Sequence, residues 1–225
     1  MSSFIRRREI VISLGASPLL AAAAANAQAP AVPEAGKDYN IVPNAQPTDT
    51  PGKVEVLDFF WYGCPHCYAF LPDLETWRKK QPADVDFRHV AVDFGDPNRE
   101  AHTKLFYALQ ALNRVDDLHV KVFDAFHLKH QRLNDRDTIA DFMVANGIAR
   151  DKWLGAFDSF SVAGQVRRAR ILSQNYTIDG TPTIAIDGRY LTSPSIEHTH
   201  TFPGTLGTMS FLVERARQDH AHRKS

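Results

Sequence analysis

The chain has 225 residues, 44% of them hydrophobic, and its 26 basic and 26 acidic residues balance to a formal charge of zero. That balance excludes nucleic acid or an anionic membrane surface as the main partner, because either would select a basic excess. Two cysteines also exclude a disulfide-stapled scaffold, so the fold must be held by packing, for which this length suffices.

Taken in chain order, residues 1–27 read as a signal peptide. Arg6-Arg7-Arg8 is its basic segment, Ile10 to Leu20 its apolar segment, and Ala25-Asn26-Ala27 its small-residue cleavage site. The apolar run is shorter than the roughly 20 residues of a spanning helix, which argues against a membrane anchor. Arg7-Arg8 leaves both the general and the twin-arginine export routes open. Cleavage would remove three arginines and Glu9 and leave a charge of −2. Residues 28–36, rich in Ala and Pro, read as a flexible leader.

A short edge strand is expected over residues 38–42, then a Pro-rich link from Pro43 to Pro51. Val54 to Phe60 is a near-continuous apolar run, the pattern of a strand covered on both faces. Tyr68 to Lys80 follows as a helix with Leu71, Leu74 and Trp77 inward and a kink expected at Pro72, and Val85 to Val92 as a second strand. The next strand signal is Thr183 to Ile186. Asp187-Gly188 then marks a type I′ hairpin turn into Arg189-Tyr190-Leu191.

About 90 residues separate the two strand regions, several times what one crossover helix requires. Their pattern is helical. Leu105, Leu109 and Leu112 share one face, Leu118, Val122 and Phe126 another, and Ile139, Phe142 and Met143 a third that ends at an Asn146-Gly147 C-cap. Asp151 is a candidate N-cap ahead of Trp153 and Phe157. The simplest account is an α/β chain with a thioredoxin-like fold interrupted by an all-helical domain. The thioredoxin-like part would be residues 37–93 and 170–218, the insertion 94–169, and the end 219–225 a disordered tail.

The two cysteines are Cys64 and Cys67, in Cys64-Pro65-His66-Cys67, at the junction of the first strong strand and its helix. A C-x-x-C at that junction is the thioredoxin-type redox arrangement. A helix N-terminus lowers a thiol pKa, so Cys64 is expected to be exposed and attacking, while Cys67, one turn in, resolves the mixed disulfide. Pro65 suits the first helical position, where a missing N–H costs nothing. His66 is expected to add positive charge and a hydrogen bond beside the Cys64 sulfur. Each such stabilisation of the reduced form makes the disulfide a stronger oxidant.

The run Leu57-Asp58-Phe59-Phe60 through Cys64-Pro65-His66-Cys67-Tyr68, the helical insertion and the later Gly180-Thr181-Pro182 together resemble the DsbA family of periplasmic thiol:disulfide interchange proteins, from about Lys37 to Arg217. The resemblance implies a periplasmic dithiol oxidase that passes its disulfide to reduced, unfolded exported proteins. It implies reoxidation by a membrane quinone reductase of the DsbB type. It also implies a cis Pro182 facing the disulfide, with the backbone of Thr181 free to pair with an extended client. Thr181 stands where the best-studied members carry an aliphatic residue, and Asp58 where the family often has Glu. A buried carboxylate at Asp58 is expected to tune the Cys67 thiol or accept its proton. Trp61 or Tyr62 is expected to line the client groove. The cysteine pair is itself the redox group, so neither cofactor nor metal is expected, and the short leader argues for a monomer.

Two rival readings share these residues: a disulfide isomerase or reductase on the same scaffold, and a metal carrier using Cys64, Cys67 and a histidine. His198, His200, His220 and His222 are read as a solvated tail rather than a metal site. His89, beside an apolar strand, is read as a satisfied core or edge histidine rather than a catalyst.

Overall fold

The computed structural model describes residues 32–196 and 198–222, so the signal segment and residues 28–31 of the leader lie outside the described residues. A five-stranded sheet runs in the order β1-β5-β4-β2-β3, with β1 at Asn40–Ile41, β2 at Val54–Phe60, β3 at Val85–Ala91, β4 at Thr183–Ile186 and β5 at Tyr190–Thr192. Only β2 and β3 are parallel. Helix α1, Pro65–Lys79, makes their crossover. Helices α2 (Pro97–Ala111), α3 (Val115–His127), α4 (Arg136–Ala145), α5 (Arg150–Phe157) and α6 (Phe160–Asn175) fill the long interval before β4, and α7 (Phe202–His222) follows β5.

All seven residues of β2 are buried, as its unbroken apolar run requires of a central strand covered on both faces. On one side Val54, Val56, Ile184 and Ile186 pack with Phe70, Leu74 and Trp77 of α1 and with Met209, Leu212 and Val213 of α7. On the other, Leu57, Phe59 and Ala185 join a core built with α2 to α6. Burying each such side chain fully contributes roughly 1.5–3 kcal/mol. From Pro33 onward the chain is one unit, because the inserted helices share their core with the sheet. Helix α6 crosses the boundary expected at residue 169. It is tied to the β3–α2 loop by Arg170, whose guanidinium forks onto the buried Asp93 at 2.8 and 2.9 Å and also reaches Glu100.

Several local expectations hold. Gly147 takes φ +84° and the Ile148 N–H reaches the Met143 carbonyl at 3.0 Å, closing α4 as a left-handed cap. Asp187 and Gly188 both have positive φ, as a type I′ turn demands, and the Arg189 N–H closes the turn on Ile186 at 3.0 Å. Three expectations do not hold. Asp151 lies inside the first turn of α5, whose N-cap is Ala149. Of the tail expected over 219–225, residues 219–222 are instead helical, and 223–225 lie outside the described residues. Arg189 bonds Asp219 at 3.2 Å and His220 bonds the buried Asp187 at 3.0 Å, so α7 is fastened to the β4–β5 turn. The last leader residues are likewise ordered into a turn, with the Gly36 N–H on the Tyr39 carbonyl at 2.8 Å.

Gly188 carries the tightest backbone approach at that turn. A Cβ there would overlap the carbonyl oxygen of Gln46, and the φ of +69° is itself unfavourable for other residues. Gly188→Ala is expected to lose about 1–3 kcal/mol of unfolding free energy in urea titration. Gly207→Ala, on an exposed stretch of α7 with open space around it, is expected to gain up to about 1 kcal/mol.

Candidate active site

Strand β2 ends at Phe60, and Trp61-Tyr62-Gly63 carries the chain to the start of α1, placing Cys64 at the N-cap and Pro65 at the first helical position. The Cys64 sulfur accepts the Cys67 N–H at 3.3 Å. As a thiol it donates to the Thr181 carbonyl, also at 3.3 Å. The peptide bond between Thr181 and Pro182 is cis, and it brings the loop before β4 against the sulfur. Both cysteines are unbridged thiols in this structure.

Contrary to expectation, Cys64 is only 6% exposed, because the Thr181-Pro182 loop covers it. Pro65 and His66 are the exposed members of the motif. The Cys67 thiol and the Thr181 side chain hydrogen-bond the Cys64 sulfur, as do the backbone N–H groups of Cys67 and His66. These bonds outweigh burial and hold its pKa down to about 5. His66 acts on the sulfur through its backbone N–H. Cys67 shifts the opposite way. Burial first, then the hydrogen bond and charge of Cys64, then the charge of Asp58, push it well above the usual thiol range. One sulfur is thus favoured as thiolate and its neighbour as thiol.

The aromatic residues before Cys64 divide. Trp61 is half-buried, with its indole N–H on His102 Nδ1 at 2.8 Å and the Arg99 guanidinium 4.4 Å over its ring. A Cβ at Gly63 would collide with that indole, so glycine lets the loop close on Trp61. Tyr62 cannot line a client groove, because it is 1% exposed. Its ring packs on Phe60, Phe123 and Phe126, its hydroxyl meets His119 Nδ1 at 2.9 Å, and its carbonyl meets His127 Nε2 at 2.8 Å.

Asp58, in the middle of β2, is buried at 3% exposure. Its Oδ2 lies 2.7 Å from His89 Nδ1, while its Oδ1 has no partner in the protein. His89 Nε2 in turn meets Glu75 Oε1 of α1 at 3.2 Å, making a carboxylate–imidazole–carboxylate chain. Burial alone would lower the His89 pKa, but the two carboxylates raise it to about 9. Burial would raise Glu75, but His89 and Arg78 hold it down to about 2. His89 is therefore an imidazolium hydrogen-bonded at both nitrogens, a satisfied core histidine as its sequence position suggests. Sequence reading missed its pairing with Asp58, along with Glu75, His119 and His127. One signal was present: aligning the two apolar strands in parallel from Val54 and Val85 sets Asp58 beside His89, which is the observed register. Among the described residues no cluster of His, Cys, Asp and Glu is arranged to hold a metal.

A C-x-x-C thiolate at a helix N-terminus, facing a cis-proline loop on a five-stranded mixed sheet, defines a thiol:disulfide oxidoreductase of the thioredoxin-like fold. The family model of the DSBA-like thioredoxin domain matches residues 55–204. The thiol:disulfide interchange protein DsbA of Burkholderia cepacia is 42% identical over 209 residues, covering 92% of this chain and 95% of the relative. That of Bordetella pertussis is 42% identical over 204 residues, covering 89% and 96%. The crystal structure of Pseudomonas aeruginosa DsbA superposes with a TM-score of 0.78 at 35% identity, covering 83% of this chain and 95% of that one. The oxidoreductase DsbA from Xylella fastidiosa gives 0.77 at 30%, covering 84% and 100%. The chain belongs to the DsbA family, and it is a thiol:disulfide interchange protein.

The Cys64 shift sets a measurable pH dependence. Thiolate ultraviolet absorbance of the reduced protein should titrate with a midpoint near 5. A folded pKa below the unfolded one contributes stability that is present above the unfolded value and lost as pH falls through the folded one. The reduced protein should therefore gain stability over the oxidised protein as pH rises from about 5 to about 9, read from paired urea titrations.

Proposed function

We propose that the protein is a dithiol oxidase that donates a Cys64–Cys67 disulfide to newly exported proteins in the periplasm. The observation that carries this reading is the opposed pair of thiols, with Cys64 held as thiolate at about 5 beside a buried Cys67 kept protonated. Every factor that favours the Cys64 thiolate favours the reduced form, and so raises the tendency of the disulfide to take electrons.

A client thiolate attacks Cys64 Sγ, the Cys64–Cys67 bond breaks toward Cys67, and a mixed disulfide forms. The client's second thiolate then attacks its own sulfur in that bond, and Cys64 leaves as the thiolate its surroundings favour. The client departs with a disulfide and the enzyme as a dithiol. The cysteine pair is the whole redox group, so no further cofactor enters the cycle. Pro182 and the Thr181 carbonyl hold an extended client across the thiols, and half-buried Trp61 borders the groove. His66 stabilises the thiolate through its backbone N–H and, when protonated, through its charge. Asp58 sets the proton state of Cys67. A membrane quinone reductase of the DsbB type restores the disulfide, and the enzyme works as a monomer.

The test is equilibration with glutathione. The protein should be markedly more oxidising than thioredoxin, whose potential is about −270 mV; a value near that of thioredoxin would overturn the reading in favour of a reductase. Cys64→Ala should abolish oxidation of a reduced dithiol peptide. Cys67→Ala should lose turnover yet accumulate a stable glutathione adduct on Cys64, seen by mass spectrometry. Thr181→Val removes a side-chain hydrogen bond to the Cys64 sulfur. It should raise the thiolate midpoint and make the protein less oxidising, both read on the same samples.

A further inference from the structure

Strands β4 and β5 stop pairing where the segment that faces the thiols begins. Their register sets Ile184 opposite Thr192, and two residues further on it would set Pro182 opposite Pro194. Proline has no N–H, so neither strand can donate the next bond of the ladder. The Pro182 carbonyl therefore finds no backbone donor opposite it, and a polar group left so would be costly. A side chain takes the vacant place. The hydroxyl of Ser193, a residue only 7% exposed, donates to the Pro182 carbonyl at 2.8 Å.

We propose that Ser193 is a positioning residue for disulfide exchange, holding Pro182 from the β5 side so that Thr181 stays against the Cys64 sulfur and in line for an extended client. The inference rests on the dithiol-exchange reading above. Thr181 is joined directly to the residue that Ser193 holds, and its carbonyl lies 3.3 Å from the Cys64 sulfur. On the other side of Thr181, the Thr183 hydroxyl donates to the Gly180 carbonyl at 2.9 Å. Two hydroxyls thus fix the segment from Gly180 to Thr183. Ser193 acts through Pro182 and Thr181 rather than on the sulfur itself.

Ser193 is itself firmly held. Its single hydroxyl hydrogen goes to Pro182, so the Ser195 hydroxyl at 2.8 Å and the Ser195 N–H at 3.2 Å are donors to its oxygen. A hydroxyl that accepts two bonds while giving one is polarised into a stronger donor. The Thr199 hydroxyl donates to the Ser193 carbonyl at 2.6 Å and pins its backbone. Ser193 and Thr199 lie on the stretch that leads from β5 into α7, so this bond couples the last helix to the segment facing the thiols. The preceding residue supplies a comparison. Thr192 is fully buried and donates to the Asp38 carbonyl at 3.0 Å, a bond of the same kind that does not involve Pro182.

The test sets Ser193→Ala beside Thr192→Val in the full-length protein. Each removes one buried hydroxyl bond, so both should lose stability in urea titration. Only Ser193→Ala should raise the thiolate midpoint of the reduced protein. It alone should also raise KM for oxidation of a reduced dithiol peptide, roughly three- to ten-fold, with kcat within about two-fold of wild type. An unchanged midpoint and KM in Ser193→Ala would overturn the proposal. Equal shifts in Thr192→Val would do so too, by showing general damage. If Ser193→Ala does not fold, Ser195→Ala decides the matter, since Ser195 is exposed and its hydroxyl polarises Ser193. That variant should move midpoint and KM the same way by a smaller amount, and no movement would overturn the proposal. A wild-type protein that equilibrates with glutathione like thioredoxin would remove the oxidase reading. The midpoint shift of Ser193→Ala, read on the reduced protein alone, would still stand.

Discussion

The N-terminus of α1 brings the N–H groups of His66 and Cys67 to one sulfur, and much of the molecule keeps that meeting in place. Pro65 starts the helix without wasting a donor. The loop before it is anchored at each residue: Trp61 by His102 and Arg99, Tyr62 by His119 and His127, Gly63 by the closeness of the indole. The inserted helices supply four of those anchors, so they serve as the jaw that holds the catalytic loop as well as a lid on the sheet. From the opposite side β4 enters through Thr181-Pro182 and covers the sulfur that the helix stabilises.

Beneath the cysteines lies a second electrostatic layer, of opposite character. Helix dipole and amides are fixed partial charges that favour one thiolate. The Asp58–His89–Glu75 chain pairs two carboxylates with one imidazolium, and the charge of Asp58 disfavours ionisation of Cys67. The pair is therefore polarised from both ends. A buried ionic chain is expensive to desolvate and would be a poor way to stabilise a fold alone. Its Asp58 end instead helps to keep the resolving cysteine protonated.

How far the sequence could be read follows from the range of each interaction. Strand β2, the C-x-x-C junction, the Asn146-Gly147 cap and the Asp187-Gly188 turn are set by neighbours a few residues apart, so local pattern reveals them. The exposure of Cys64 was misjudged because its cover, Thr181, lies 117 residues away. Tyr62 looked like a groove residue beside the motif, yet its partner His119 comes from a helix 57 residues on. His89 was read as a satisfied core or edge histidine, but its partners could not be named because neither carboxylate is near it in sequence, and only the pairing of β2 with β3 and the facing of α1 bring them together. The end of α7 was read as tail because its polar residues bond to a turn 30 to 33 residues back.

One strand and its outgoing loop thus furnish the central hydrophobic packing, the buried acid and the approach to the nucleophile. Almost every residue from Val54 to Cys67 is enclosed, and only Pro65 and His66 face outward. Evolution therefore has a narrow dial. Any drift in the enclosed positions alters folding and electron affinity together, whereas the two outward-facing positions between the sulfurs can be exchanged to retune the protein while its scaffold stays intact.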